Sequence, residues 1–192
     1  MQTLIDYKPG DIIAFSGFGR LSNCINLATY GIPHWNISHV GIVAHAYDRL
    51  FLFESTMQSC LPCAITGKFI RGAQAHRINE VTDSYNGRIW HYPLYRELYY
   101  HEEARLEDFL LDTIGTPYDE MGAFRSAGIG LSWIESCFRE ENLSSIFCSE
   151  WCIASLSIIG IYPTDNVSRW NPNKLCRTLR RNGILHKPVR KK

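Results

Sequence analysis

Short apolar runs bounded by turn residues recur in the first half of the chain, and this pattern is typical of strands. Four such runs predict strands, at residues 12–15, 38–43, 50–54 and 88–92. The second and third runs are separated by Tyr47 and Asp48, which predicts a β-hairpin. We place the centre of its turn at Ala46 and Tyr47.

Three other stretches carry apolar residues at helical spacing and predict helices. The first ends before Gly31, and the second covers residues 98–114. The third is expected to start near Phe147, where Ser144 and Ser145 offer hydroxyl oxygens that can cap a helix. Strands followed by helices, with no linker between them, predict one α+β domain over residues 1–192.

Composition supports an ordinary globular chain. Of the 192 residues, 45% are hydrophobic and 20% are charged, which excludes the disordered and fibrous classes. The first ten residues lack the basic start and apolar run of a secretory signal, and the longest apolar stretch is interrupted by Arg125 and Glu135. We therefore expect a cytoplasmic protein, in which the seven cysteines are reduced.

Basic residues are concentrated near the C-terminus. Nine of the 20 Lys and Arg residues lie between Arg169 and Lys192, where there is no Asp or Glu. The other 11 face 19 acidic residues, which gives residues 1–168 a formal net charge of −8. Such a segment is typical of a solvated tail, here from about residue 177, or of contact with an anionic surface such as a membrane. We predict no stable nucleic-acid partner and leave the oligomeric state open.

Cys148 is the first candidate for chemistry, because the predicted third helix places it in the first turn. A helix N-terminus lowers the pKa of a thiol, since unpaired N–H groups and the macrodipole favour negative charge. The same N–H groups can hold the oxyanion of an acyl-transfer reaction. An isolated cysteine at such a position is nevertheless more often a small core residue.

The predicted hairpin adds a histidine and a carboxylate. With the turn centred at Ala46 and Tyr47, His39 lies directly opposite Glu54, and cross-strand neighbours have Cβ atoms about 5 Å apart. A carboxylate at that distance can fix the orientation and tautomer of an imidazole and stabilise its charged form. A turn that preserves the alternation of the strands keeps the two side chains on one face.

The Cys60–Cys63 pair suggests two other kinds of site. Its C-x-x-C spacing is found in thioredoxin-like redox centres and in half of a zinc site. A redox centre requires a helix after the motif, and the following residues have no helical stripe. A zinc site requires two further ligands, for which the candidate pairs are Cys148 with Cys152 and His76 with His91. We predict neither a metal nor a cofactor.

Five short motifs follow one another in a fixed order. They are Gly-Asp-Ile-Ile at 10–13, Ser-His-Val-Gly-Ile at 38–42, Phe-Glu-Ser at 53–55, Gly-Thr-Pro-Tyr-Asp at 115–119 and Phe-Cys-Ser-Glu at 147–150. With His before Cys, the chain resembles the circularly permuted branch of the NlpC superfamily. These are papain-fold cysteine hydrolases related to lecithin retinol acyltransferases, and the resemblance spans most of the chain.

The resemblance implies a permuted papain-like fold, in which a small antiparallel sheet or half-barrel packs against the helix that carries the nucleophile. It implies Cys148 as nucleophile, His39 as general base and Glu54 as the third polar residue. Tyr118 matches a tyrosine that lies beside the nucleophile in this superfamily. We expect Tyr118 and Ser149 to contribute to substrate binding or to oxyanion stabilisation.

The expected activity is that of a cysteine hydrolase acting on a peptide or acyl substrate. Our first choice is cleavage of an amide bond, as in peptidases and amidases of cell-wall peptides. The same superfamily includes thioesterases and acyltransferases that act on lipids, which is the main alternative. A papain-like scaffold can also hold a peptide or lipid without turnover.

Overall fold

The computed structural model describes residues 7–17, 37–56, 60–116, 140–164 and 170–192. The helix predicted before Gly31 lies outside these ranges, as does Tyr118. All four predicted strands and the helix predicted over residues 98–114 fall within them, and each is present.

Six antiparallel strands form the sheet of the described part of the chain. The strands are β1 (Ile12–Gly17), β2 (His39–Ala46), β3 (Arg49–Thr56), β4 (Gly72–His76), β5 (Gly87–Tyr92) and β6 (Val189–Arg190). Their order across the sheet is β4-β3-β2-β1-β5-β6, so the first strand is central. Together with the helices, this sheet confirms an α+β fold with an antiparallel sheet.

The turn of the β2–β3 hairpin lies one residue later than predicted. Ala46 pairs with Arg49, which leaves Tyr47 and Asp48 as a two-residue loop with φ angles of 51° and 61°. Positive φ at both positions is the geometry of a type I′ turn, whose twist matches that of the strands. The predicted turn at Ala46 and Tyr47 was therefore wrong by one position.

Four helices accompany the sheet in the described ranges. They are α1 (Ile78–Ser84), α2 (Tyr100–Thr113), α3 (Glu140–Ile158) and α4 (Pro172–Arg181). The α2 helix begins with a capping box, in which Glu102 accepts a hydrogen bond from the backbone N–H of Tyr99. Within the described ranges, no helix combines the length and apolar character that crossing a bilayer requires.

The two faces of the sheet bury separate sets of side chains, because successive strand residues point to opposite sides. Ile42 and Phe53 join the larger core, which includes apolar residues of α2, α3 and α4. Val43 and Leu52 join a smaller core that α1 closes with Ile78. The α3 helix packs mainly against β2 and β3, which places it beside the hairpin.

The C-terminal basic segment is built into the fold, whereas the sequence suggested a tail from about residue 177. Leu175 and Leu179 are buried on one side of α4, and Leu185 bridges to Leu94. The chain then forms β6 along the edge of β5. An apolar stripe runs between the basic residues of α4, and burial of this stripe decides where the segment lies.

Candidate active site

His39 is the first residue of β2, and its ring packs against an aromatic side chain. Its ring centroid lies 5.6 Å from that of Phe15, and Tyr85 packs edge-on against Phe15 at 4.9 Å. The His39 side chain keeps 20% of its surface exposed. Phe15 pairs directly with His39 across β1 and β2, so the sheet register fixes this contact.

Glu54 contacts His39 diagonally across the hairpin. Because the turn lies one residue later than predicted, continuing the pairing of Ile42 with Phe53 by one residue places Gly41 opposite Glu54. The side chains still share a face, and Nε2 of His39 lies 2.5 Å from Oε2 of Glu54. Diagonal neighbours are within reach of long side chains, so the loss of direct pairing does not separate them.

Gly41 leaves no room for a side chain beside this contact. A Cβ atom at residue 41 would lie 2.7 Å from Cδ1 of Leu52 and 2.8 Å from the carbonyl oxygen of Phe53. Both distances are shorter than ordinary van der Waals contact. The glycine thus allows β2 and β3 to lie close together beside Glu54.

Cys148 lies on α3 and reaches the same imidazole. It is fully buried, and its side chain hydrogen-bonds with His39. Since Nε2 of His39 contacts Glu54, Nδ1 is the ring nitrogen that remains for the thiol. The structure thus brings Cys148, His39 and Glu54 together from one helix and two strands.

The charges in this cluster stabilise one another. Burial alone would lower the pKa of His39, but the Cys148 thiolate and the Glu54 carboxylate raise it to about 10. Burial alone would raise the pKa of Glu54, but hydrogen bonds from His39 and His76 hold it at about 2. At neutral pH the arrangement therefore favours a charged imidazole beside an ionised carboxylate.

The helix that carries Cys148 begins earlier than predicted. It starts at Glu140, so Cys148 is its ninth residue, and Ser144 and Ser145 lie inside the helix. The predicted position of Cys148 in the first turn was wrong. The predicted effect of unpaired N–H groups and of the macrodipole on the thiol is therefore lost, because both effects fade within the first turn. A partner of the Cys148 side chain in the described residues is His39.

The two predicted auxiliary residues have different outcomes. Tyr118 lies outside the described residues. Ser149 is fully buried, and its hydroxyl donates a 2.7 Å hydrogen bond to the carbonyl oxygen of Trp170. This bond ties the segment before α4 to α3. A role for Ser149 in substrate binding or oxyanion stabilisation stays a prediction.

His76 is the member of the cluster that the sequence analysis missed as a partner of Glu54. Its Nδ1 lies 2.8 Å from Oε1 of Glu54, and its side chain is 2% exposed. On β4, Gln74 and His76 alternate with the buried Ala73 and Ala75. That alternation is the available signal, but alanine is a weak strand former, so the pattern does not predict a strand there.

The other described cysteines are free thiols. Cys60 is exposed, whereas Cys63 is buried and accepts a hydrogen bond from the backbone N–H of Ala75. Burial raises the pKa of both Cys152 and Cys176. Among the described residues, no group of three or more His, Cys, Asp or Glu side chains is arranged to hold a metal ion.

A surface cavity of about 350 Å³ lies near the turn end of the hairpin. Tyr7, Arg49 and Arg77 are among its lining residues, and none of the three residues brought together at Cys148 lines it. This cavity is therefore separate from the cluster at the opposite end of the hairpin.

Comparison with known proteins gives a likeness at the level of the fold. No family model and no curated protein matches the sequence. Among solved structures, the chain is similar to the metalloprotein YiiX from Escherichia coli O157:H7, described as DUF1105, with a TM-score of 0.51 and 17% identity. The likeness covers 95% of this chain and 87% of that one. Identity this low shows a shared fold and leaves function to be argued from the site.

Proposed function

We propose that this protein is a cysteine hydrolase that cleaves amide bonds, with Cys148 as nucleophile, His39 as acid and base, and Glu54 as the residue that orients His39. One observation carries the proposal: a single imidazole is hydrogen-bonded to a thiol on one side and to a carboxylate on the other. A nucleophile, a base and an orienting group in this relation are typical of covalent acyl transfer.

The reaction follows from these three groups. Cys148 transfers its proton to His39, and the thiolate attacks the carbonyl carbon of the amide. The tetrahedral intermediate collapses when the imidazolium gives its proton to the leaving amine, which leaves an acyl-thioester on Cys148. His39 then takes a proton from water, hydroxide attacks the thioester, and the acid product leaves with the thiol restored.

Glu54 serves the reaction through its charge. A carboxylate beside the imidazole favours the protonated ring, which forms when the thiol ionises. Its hydrogen bond to Nε2 also leaves Nδ1 available to Cys148. The pKa of Glu54, about 2, means that the carboxylate stays ionised throughout the range in which such a reaction runs.

We further propose that the fold is the permuted papain-like one. Three features support this: the histidine and the carboxylate come from antiparallel strands, the cysteine comes from a helix packed on those strands, and the histidine precedes the cysteine along the chain. The short motifs named in the sequence analysis support the same assignment. The likeness to YiiX supports only the α+β architecture.

The proposal is tested with matched alanine variants on α3. Cys148→Ala should lose the hydrolysis of an amide substrate by about 10⁴-fold or more, the scale seen when a catalytic nucleophile is removed. Cys152→Ala removes another buried thiol from the same helix and should keep the activity within a fewfold. Circular dichroism of both variants checks that they fold.

The class of substrate is read from the acyl-enzyme. Wild-type protein is incubated with a cell extract, the reaction is quenched with acid, and the Cys148 peptide is weighed by mass spectrometry. A peptidyl adduct supports the proposed amide hydrolase, and a fatty-acyl adduct would instead assign the protein to the lipid-directed thioesterases and acyltransferases. Full activity of folded Cys148→Ala would overturn the thiol mechanism.

A further inference from the structure

Both oxygens of the Glu54 carboxylate are held by histidines. Oε2 lies 2.5 Å from Nε2 of His39, and Oε1 lies 2.8 Å from Nδ1 of His76. The Glu54 side chain is 9% exposed, so it has little access to water. A buried carboxylate fixed at both oxygens cannot turn away from either ring without losing a charge-assisted hydrogen bond.

His76 is itself fixed at both ring nitrogens. Its Nε2 lies 3.3 Å from the carbonyl oxygen of Leu61, and a carbonyl oxygen can only accept a hydrogen bond. The residue stands opposite Leu52 on the face of the sheet that also carries Glu54. Its ring therefore has one hydrogen-bond partner on β3 and another in the loop before β4.

We propose that His76 is a positioning residue that holds the Glu54 carboxylate in the orientation required by His39. This inference rests on the proposed function, because the orientation of Glu54 matters only if His39 serves Cys148. His76 reaches the site through the carboxylate of Glu54, so it acts through Glu54. Its Nδ1–H donates to Oε1, which leaves Oε2 to accept from His39.

The same contact keeps Glu54 ionised. A second donor on a buried carboxylate stabilises its charge, and that charge in turn stabilises the protonated His39. Among the groups that face His76 are the Glu54 carboxylate from β3 and the Leu61 carbonyl from the preceding loop.

Two amide variants separate the two hydrogen bonds of His76. The side-chain nitrogen of asparagine occupies the place of Nδ1, whereas that of glutamine occupies the place of Nε2. His76→Asn should therefore keep the bond to Glu54, and His76→Gln should keep only the bond to Leu61. Both variants replace a buried ring by an amide, so they share the cost of lost packing.

The positioning role predicts different behaviour for this pair. In His76→Gln, kcat should fall about tenfold or more with KM little changed, the scale of one lost charge-assisted hydrogen bond. The His39 imidazole, followed by NMR of protein carrying ¹⁵N-histidine, should titrate about one pH unit lower than in the wild type. In His76→Asn, kcat and the titration should stay close to wild-type values.

His91 provides a matched control. It is another buried histidine paired with a carboxylate, with Nε2 at 2.6 Å from Oδ2 of Asp11. His91→Asn removes that bond and should lower stability without moving the titration of His39. The His39 resonances are assigned by comparison with the His39→Gln variant, in which they are missing.

Equal His39 titrations in wild type, His76→Gln and His76→Asn would overturn the inference, as would a larger kcat loss in His76→Asn than in His76→Gln. The NMR titration does not depend on turnover. If the wild type hydrolyses no amide but His76→Gln alone lowers the His39 titration, the proposed function fails while the positioning of Glu54 by His76 stands. If the wild type is active and the titrations are equal, only the inference fails.

Discussion

At the scale of single residues, the site depends on one buried carboxylate between two imidazole rings. Glu54 without partners would be strongly disfavoured in this environment, because transfer of a charge from water to a protein interior is costly. His39 and His76 supply donors to both of its oxygens. The same bonds that make burial tolerable also link the stability of the fold to the charge state of the site.

Glu54→Gln is expected to make the stability less dependent on acid pH. The pKa of Glu54 is about 2 in the folded state, below the ordinary 4.5, so its stabilising effect is complete above about pH 4.5 and is lost as pH falls toward 2. The wild type should exceed Glu54→Gln in unfolding free energy by up to about 3 kcal/mol at pH 6. Urea unfolding from pH 2.5 to pH 7 measures the difference, and a constant difference would contradict the assignment.

At the scale of elements, the hairpin delivers His39 and Glu54 to one face. Short apolar runs bounded by turn residues identified both strands. The register was less accessible, since Tyr47 and Asp48 are not the Asn-Gly or Asp-Gly pair that marks such a turn. His39 and Glu54 are in contact although the predicted turn was wrong. A shift of the turn by one residue moves each pairing partner by two positions, which keeps both side chains on one face.

Tyr47→Asn should stabilise the hairpin by about 0.5–1 kcal/mol, since asparagine tolerates the left-handed region better than tyrosine does. Tyr47 has a φ of 51° and its side chain is largely exposed, so little packing is lost. Thermal and urea unfolding measure the gain. Tyr47→Ala is the control: it removes the ring without relieving the backbone and should give no gain. A gain of the same size in both variants would mean that the ring itself is unfavourable.

The helix that carries Cys148 marks the limit of what local pattern could predict. Ser144 and Ser145 are good capping residues, but a hydroxyl inside a helix is tolerated when the helix continues into a packed core. The α3 start at Glu140 coincides with two adjacent acidic residues, which are favoured in the first turn of a helix. Tertiary packing against β2 and β3, which sequence spacing does not report, favours the longer helix.

At the scale of the whole molecule, the C-terminal segment supplies the strand at one edge of the sheet. The α4 helix buries Leu175 and Leu179, and β6 then covers the edge of β5. The Lys192 ammonium donates to the carbonyl oxygens of Thr82, Asp83 and Tyr85, at the C-terminal end of α1. Positive charge is favoured there by the helix macrodipole. A charge count alone could not predict this, because the apolar stripe of α4 and the edge of the sheet decide the position.

Lys192→Met is expected to lower the free energy of unfolding by about 0.5–1 kcal/mol, through loss of the three carbonyl contacts at the end of α1. Lys187→Met removes a positive charge from an exposed residue of the same segment and should change stability by less than about 0.5 kcal/mol. Chemical unfolding of the two variants at one salt concentration gives the comparison. Equal effects would point to net charge rather than to the contacts of Lys192.

Gly41, which has no side chain opposite Glu54, limits how the sequence of this protein can vary. A methyl group at residue 41 would press on the Phe53 carbonyl, which belongs to the peptide immediately before Glu54. Any replacement of Gly41 should therefore displace the carboxylate even though residue 41 performs no chemistry. In a saturation library selected for hydrolysis, we expect glycine alone to persist at this codon, while neighbouring Val40 admits other small apolar residues.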